Sequence, residues 1–241
     1  MNMRNSLPFF KILTVAFLFG VFNFAGTCLA SSDVQTGKSE GNGTAVSVTV
    51  APGADAAVAD FFRNVRHESV LSDFEQTRYM AEAGRSLKSS GRMLFTVSDG
   101  LCWKMEKPFK RSWLFLGDGV TEYQPDGSSR SVSGDGNGMF NGILLSVLNG
   151  GIEGNTADLT ANFDVTDGGY DSESHVHAIY LKPLDKQIGS VIYRIKLERK
   201  GDVLHSITIM EHGNSYTRMV FVSPVTDAAD AGMPQEFCRF R

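Results

Sequence analysis

The feature of this sequence that most limits its possible folds is a change of hydrophobic period after Val70. Beyond that residue apolar and polar side chains alternate, and turn sequences such as Ser98-Asp99-Gly100 follow at close intervals. Alternation is typical of strands with one buried face, and short turns join antiparallel strands. The pattern predicts ten strands, at 72–80, 91–97, 101–106, 112–116, 120–124, 160–166, 176–182, 189–199, 203–212 and 215–223. An open sheet of this size curls, so we expect an α+β, mainly β fold with a strongly curled antiparallel sheet or a barrel.

Two segments show a helical period instead. Asp55 is a suitable N-cap for a first helix, in which Val58, Phe61, Phe62 and Val65 share one face. The second segment is very apolar and has almost no polar face, so another part of the fold must cover it. It either closes the open mouth of the curled sheet as a lid or packs as ordinary core. Its apolar residues are Met139, Phe140, Ile143, Leu144, Val147 and Leu148.

The first thirty residues have the pattern of an export signal. Basic residues precede an apolar run from Ile12 to Ala25, and Cys28-Leu29-Ala30 offers small residues for cleavage. We therefore expect 1–30 to be a cleaved signal peptide, with lipidation at Cys28 as a minor alternative. Residues 31–55 are rich in Ser, Gly, Thr and Ala and are expected to form a flexible linker. Residues 56–241 remain as a single domain.

Charge and cysteine content narrow the possible partners. The chain has 23 basic and 27 acidic residues, with no long block of either sign, so nucleic acid is not an expected partner. After removal of the signal, only Cys102 and Cys238 remain, in a compartment where disulfides persist. They either form a disulfide or stay as two separate thiols.

No catalytic or metal-binding motif is complete. His175 and His177 stand on one strand face, but the glutamate that a cupin-type metal site needs does not follow, so a solvated strand face is the better interpretation. Asp135-Gly136-Asn137-Gly138 starts like a calcium loop but lacks the closing glutamate. A hydrolase or metal enzyme would need His175, His177 or His205 to meet a carboxylate. We therefore expect a protein that is not an enzyme and has no cofactor and no metal.

The predicted strands carry many large apolar side chains on one face. In 100–109, Leu101, Trp103 and Met105 alternate with Cys102, Lys104 and Glu106, and Pro108 ends the strand. If the sheet curls, the apolar faces point inward and could line a cavity or could fill a core. The candidate lining residues are Met93, Phe95, Leu101, Trp103, Met105, Tyr193, Ile195, Ile207 and Ile209.

The order of these pieces resembles the LolA family of periplasmic outer-membrane lipoprotein carriers, over roughly residues 56 to 223. The anchors of the resemblance are Phe74, Gln76, Gly91, Trp103, Pro108, Asp118-Gly119, Tyr123 and the step from Leu181 to Pro183. It implies an incomplete, unclosed antiparallel barrel in which helices form a lid over an apolar cavity. It also implies a monomer that takes acylated cargo from an inner-membrane transporter to an outer-membrane acceptor.

One departure bears on the cargo. LolA carriers have an Arg-Pro pair in the turn before the tryptophan strand, whereas Val97-Ser98-Asp99-Gly100 stands here. With the segment LKSSGRMLF at 87–95 before 100–109, the chain is more similar to the LolA-like proteins associated with lipid or aryl polyene biosynthesis, which implies a glycolipid or polyene lipid as an alternative to a lipoprotein. A different class, a chaperone or regulator with a filled core and an exposed sheet edge for a partner strand, also fits the pattern.

Overall fold

Eleven antiparallel strands form a single sheet that does not close into a barrel. The computed structural model describes residues 54–63, 67–116, 119–132, 145, 147–148, 150, 152, 156–228 and 232–240. The strand order is β6-β5-β4-β3-β2-β1-β11-β10-β9-β8-β7, so β6 and β7 are the two edges. The unclosed antiparallel sheet expected from the sequence is confirmed.

Most strands follow the predicted alternation and end close to the predicted turns. Their bounds are β1 Ser69–Met80, β2 Arg85–Thr96, β3 Gly100–Lys107, β4 Arg111–Leu116, β5 Gly119–Tyr123, β6 Ser129–Ser131, β7 Phe163–Asp171, β8 Val176–Pro183, β9 Ile192–Lys200, β10 Val203–Glu211 and β11 Tyr216–Thr226. Pro108 ends β3, as predicted. The short edge strand β6 was not predicted, because Ser129-Arg130-Ser131 has no apolar alternation and all three residues are exposed.

In the part of the chain that the structure describes, four short helices have defined bounds. They are α1 Ala54–Phe62, α2 Ala157–Asn162, α3 Lys186–Gly189 and α4 Pro234–Cys238. The first matches the predicted amphipathic helix, although it already starts at Ala54, so Asp55 lies inside it. The prediction of strand at 160–162 was wrong, because α2 occupies those residues. The strand predicted from 189 starts at Ile192, because the Asp185 side chain caps α3 by accepting hydrogen bonds from Gln187 N and Ile188 N.

The sheet has an inner face, which we define as the side that carries Phe74, Trp103 and Phe221. The rings of Phe74 and Trp103 stack with centroids 4.0 Å apart, and those of Trp103 and Phe221 meet edge to face at 6.4 Å. These residues come from β1, β3 and β11, and β3 and β11 are three strand intervals apart. On a flat sheet that separation would be about 14 Å. The sheet therefore curves around the inner face.

No helix in the described ranges is both long enough and apolar enough to cross a membrane. The predicted signal peptide (1–30) and linker (31–55) lie almost entirely outside the described residues, which begin at residue 54.

Candidate apolar binding site on the inner face of the sheet

Eight of the nine predicted lining residues lie buried on the inner face. The strand register sets Met93 opposite Trp103 and Phe95 opposite Leu101 on one side of the sheet. On the other side Ile209 stands opposite Ile195. The buried set is Met93, Phe95, Leu101, Trp103, Met105, Ile195, Ile207 and Ile209. The inner face is thus a largely apolar surface contributed by strands from both halves of the sheet, with the polar side chains of Gln76 and Thr217 also buried on it.

Tyr193 does not join this surface. Arg194 pairs with Met210 and Ile192 pairs with Glu211, so Tyr193 is an extra residue at a register shift in β9. Its side chain is half exposed and its ring meets the His212 ring edge to face, with centroids 5.8 Å apart. The prediction that Tyr193 lines the cavity was therefore wrong, because a bulge reverses the alternation at that point.

Gly91 makes the aromatic contact at the centre of the inner face possible. Phe74 stands opposite Gly91, which in turn stands opposite Met105. A Cβ at position 91 would overlap the Lys104 carbonyl oxygen and lie 2.8 Å from the Met105 Cα. Without a side chain at position 91, the Phe74 ring can extend toward Trp103 and stack on it. The glycine therefore serves both the close approach of β3 and the ring stack.

Separate short segments cover parts of the inner face. Helix α1 packs on β7 and β8, where the Phe61 ring lies 5.3 Å from the His177 ring. Val147, Leu148 and Ile152 are also buried. The predicted lid residues Met139, Phe140, Ile143 and Leu144 lie outside the described residues.

A small cleft opens beside this cover. Its volume is about 10 Å³, which is close to the space that one water occupies. The residues that line it are His67, Val70, Met93, Ile152, Val203, Leu204, Phe221 and Pro224. His67 is fixed there, because its Nδ1 lies 2.9 Å from Asp227 Oδ2 and its Nε2 lies 3.2 Å from the Asp202 carbonyl oxygen. An acyl chain would need the cover at this point to move away from the sheet.

A charged group ends the apolar row on the side of β6. Trp103 pairs with Trp113, Trp113 with Glu122 and Glu122 with Arg130, in successive strands. The Glu122 side chain is 1% exposed, with one oxygen 2.6 Å from Arg111 Nη1 and the other 2.6 Å from Arg130 Nε. The sequence pattern gave no signal for this group, because the three residues lie on three different strands.

The outer face carries an apolar patch of its own, formed by Leu94, Cys102 and Leu114. Helix α4 covers the patch, and the Cys102 and Cys238 sulfurs are joined in a disulfide. Lys104 Nζ donates hydrogen bonds of 2.9 Å to the carbonyl oxygens of Phe237 and Arg239. Lys104 is therefore held against the C-terminal segment, which lies over this part of the outer face.

A polar groove of about 440 Å³ lies on the outer face of β7 to β11. Glu198 is central to it, with Lys196 Nζ at 2.5 Å from one of its oxygens and the Ser206 hydroxyl donating to the other. Partial burial raises the pKa of Glu198, but these two hydrogen bonds together with the charges of Lys196 and Arg218 outweigh it and hold the pKa below its usual value. Lys196, Glu198 and Arg218 are thus paired with one another.

The three candidate histidines do not converge. His175 lies in the β7–β8 turn, His177 is buried on the inner face and His205 lines the outer groove. His177 Nε2 lies 2.8 Å from Asp167 Oδ1, so the interpretation of His175 and His177 as one solvated face was wrong. Within the described ranges no three His, Cys, Asp or Glu side chains are grouped as a metal ion would require. The possible calcium loop at 135–138 lies outside those ranges.

No protein-family model matches the sequence, and no curated protein matches it either. Solved structures similar to this chain include a LolA superfamily protein from Nitrosomonas europaea, at 9% identity and a TM-score of 0.39, covering 77% of this chain and 97% of that one. A putative outer membrane lipoprotein-sorting protein domain from Vibrio parahaemolyticus matches at 11% identity and a TM-score of 0.40, covering 73% and 93%. The family that the sequence resembles is therefore represented among these structures.

MucB is a further similar structure, at 15% identity and a TM-score of 0.41. The match covers 79% of this chain but only 64% of the MucB chain. MucB from Pseudomonas aeruginosa also matches in a complex with MucA, at 14% identity and a TM-score of 0.42, with 71% of this chain and 58% of that chain covered.

Proposed function

We propose that residues 56–241 form a periplasmic carrier that binds the acyl chains of a lipoprotein or another lipid against the inner face of the sheet. On this proposal residues 1–30 direct export and are removed, and residues 31–55 are a linker. The carrier receives its cargo from an inner-membrane transporter and delivers it toward an outer-membrane acceptor. This transfer of cargo involves no covalent chemistry and no cofactor.

The observation that carries this proposal is the largely apolar inner face under a cover of separate short segments. Trp103 and Met93 belong to a surface to which strands of both halves of the sheet contribute. A second sheet would seal such a surface permanently. A cover made of one helix of nine residues and a connecting segment can move away at a lower cost than a second sheet could.

The energy that could move the cover comes from the cargo itself. Each methylene transferred from water to an apolar surface contributes roughly 0.8 kcal/mol, so a chain of a dozen carbons contributes on the order of 10 kcal/mol. The cleft of about 10 Å³ is too small for such a chain in the closed form. The carrier therefore binds by stabilising an open form in which acyl carbons replace the covering side chains on the sheet.

Tryptophan quenching by a brominated fatty acid tests this proposal. The chain contains two tryptophans, and Trp103 and Trp113 stand opposite each other on the inner face. In Trp113→Phe the remaining Trp103 should be quenched with saturation. Two methylenes fewer in the ligand should weaken binding about tenfold. The matched control is W103F/W113F/Y123W, which moves the reporter to position 123 beside Cys102 and Leu114 on the outer face and should stay unquenched.

A second candidate is a non-catalytic interaction module, a chaperone or regulator with a filled interior. The small volume of the cleft beside Met93 and Phe221 favours this alternative. Such a protein would use a sheet edge for a partner strand. It predicts no saturable quenching of Trp103 by any chain length, so the same titration separates the two candidates.

A further inference from the structure

Polar groups limit the apolar surface of the inner face across the strands. Toward β6 the apolar row ends at the Glu122 carboxylate, which is 1% exposed. Toward β7 the surface reaches His177, whose ring meets the Phe61 ring of α1 and whose Nε2 is bonded to Asp167. A hydrocarbon chain laid across the strands would therefore press against groups that need hydrogen bonds. The longer apolar path runs along the strands.

An ion pair closes one end of that path, where β1 ends and β11 begins. Both Nη atoms of Arg78 donate hydrogen bonds to the Glu211 carboxylate, and Nη1 also donates one of 3.2 Å to the hydroxyl of Thr217, which stands opposite Arg78. The Arg78 and Glu211 side chains are only 13% and 12% exposed. Breaking a pair that is this deeply buried is strongly unfavourable, so the pair is a fixed wall for an incoming chain.

The cleft lies at the opposite end, where β1 begins. Val70 lines the cleft, and Phe74 and Gln76 follow it on the inner face of β1. Ser72, between Val70 and Phe74, donates its hydroxyl to the Val222 carbonyl oxygen and so presents no unpaired polar group to hydrocarbon. Gln76 is 4% exposed and is the first long polar side chain on this path.

The distance from the cleft to Gln76 corresponds to a definite chain length. Val70 and Gln76 are six residues apart, and their partners on β2, Phe95 and Ser89, are also six residues apart, so both strands give the same length. Six residues of strand span about 20 Å. A carbon–carbon bond of about 1.5 Å advances an extended chain by about 1.25 Å, so about 16 carbons occupy this path.

We propose that Gln76, backed by Thr217 and the Arg78–Glu211 pair, is the closed end of the acyl site and sets the longest chain that the site accommodates, about 16 carbons. This rests on the proposed function and specifies its cargo. The acyl chain enters with its methyl end first, and the head group stays at the cleft beside His67. Methylenes beyond the limit remain in water at the cleft and add no affinity.

A series of saturated fatty acids from decanoic to docosanoic acid tests the proposal, each below its micellar concentration and in competition with the brominated fatty acid in Trp113→Phe. The dissociation constant should fall about tenfold for every two carbons up to about 16 carbons, and by less than about twofold for every two carbons beyond. Gln76→Met removes the amide and keeps the length of the side chain. The next polar groups are then two residues further along β1, so the break should move to about 20 carbons.

Gln76→Asn is the matched control, because it keeps an amide at this position, and its break should stay near that of the wild type. Gln76→Leu replaces Gln76→Met if thermal unfolding shows that the latter has not folded. Affinity that keeps rising tenfold per two carbons through docosanoic acid overturns the closed end and leaves the carrier intact. A break that neither apolar variant moves, or that Gln76→Asn moves equally, does the same. Absence of binding by every acid, the brominated one included, overturns both proposals.

Discussion

Individual residues decide whether the inner face can form, and Gly91 shows this most directly. Its missing side chain allows β3 to approach and Phe74 to stack on Trp103. We expect Gly91→Ala to lower the free energy of unfolding by about 3 kcal/mol, because the new methyl group displaces a backbone strand. Gly119→Ala is the matched control, since its Cβ would meet only the Leu116 carbonyl oxygen at 3.5 Å. Urea unfolding measures both, and equal losses would contradict this account of Gly91.

Ion pairs between individual residues make the stability of the fold depend on pH. The hydrogen bond to His177 holds the pKa of Asp167 below its usual value, despite an opposing contribution from burial. The carboxylate therefore contributes stability above the usual aspartate pKa of about 3.9, and the contribution is lost as pH falls through the lowered folded pKa.

Asp167→Asn should accordingly be less stable than the wild type near neutral pH, with a difference that shrinks as the pH approaches about 2. Urea midpoints across this range provide the measurement. Asp126→Asn is the variant for comparison. The pKa of Asp126 is also lowered, but by hydrogen bonds to Ser128 in an exposed turn that does not involve His177. A wild-type advantage that stays constant with pH would contradict the role of the Asp167 charge.

The sequence was sufficient to assign a sheet face to residues that follow strict alternation. It was insufficient where the face depends on the pairing of neighbouring strands. Leu101, Trp103 and Met105 lie on the inner face as the period of two predicted. Tyr193 does not, because a bulge is a property of two paired strands and has no mark in either one alone. The group of Glu122, Arg111 and Arg130 likewise depends on register across three strands.

At the scale of elements, helix α4 shows how a short segment can stabilise the sheet. Its five residues cover the outer apolar patch and are joined to β3 by the Cys102–Cys238 disulfide, which links positions 136 residues apart. Closing so long a loop restricts the unfolded chain, and a native disulfide of this kind typically contributes 2–5 kcal/mol, an order-of-magnitude figure.

We therefore expect C102A/C238A to lose about 2–5 kcal/mol of unfolding free energy under oxidising conditions. Guanidinium denaturation with and without a reductant checks whether the missing disulfide causes this loss of stability. Reductant should lower the wild-type stability to that of the double variant and leave the double variant unchanged. If complete reduction of the disulfide left the stability of the wild type unchanged, the packing of α4 on the outer apolar patch, and not the disulfide, would hold α4 in place.

Element boundaries were predictable where turns are marked by Gly, Asp or Pro, as at the end of β3. They were not predictable for α2 and α3, because 157–162 and 186–189 are too short to establish a helical period. The Asp185 cap of α3, seen only in the structure, shows why β9 starts late. β6 forms only because β5 offers it an edge.

At the scale of the whole molecule, the described domain is an unclosed sheet with an apolar inner face. A strongly curled antiparallel sheet followed from the number of strands and the brevity of their connections, since neither depends on the exact register, whereas the unclosed form was implied by the resemblance to the LolA family. Whether the inner face takes up a ligand depends on the motion of its cover, and alternation along a strand carries no information about that motion. The carrier function is therefore a prediction about the molecule's open form.

Native mass spectrometry of the full protein, purified without detergent from the cells that make it, tests this central claim most directly. We predict a population whose mass exceeds that of the chain by one acyl lipid, and which loses that lipid on organic extraction. A protein that carries no lipid at any stage of a detergent-free purification, and whose Trp103 is not quenched by added acyl chains, would contradict the account.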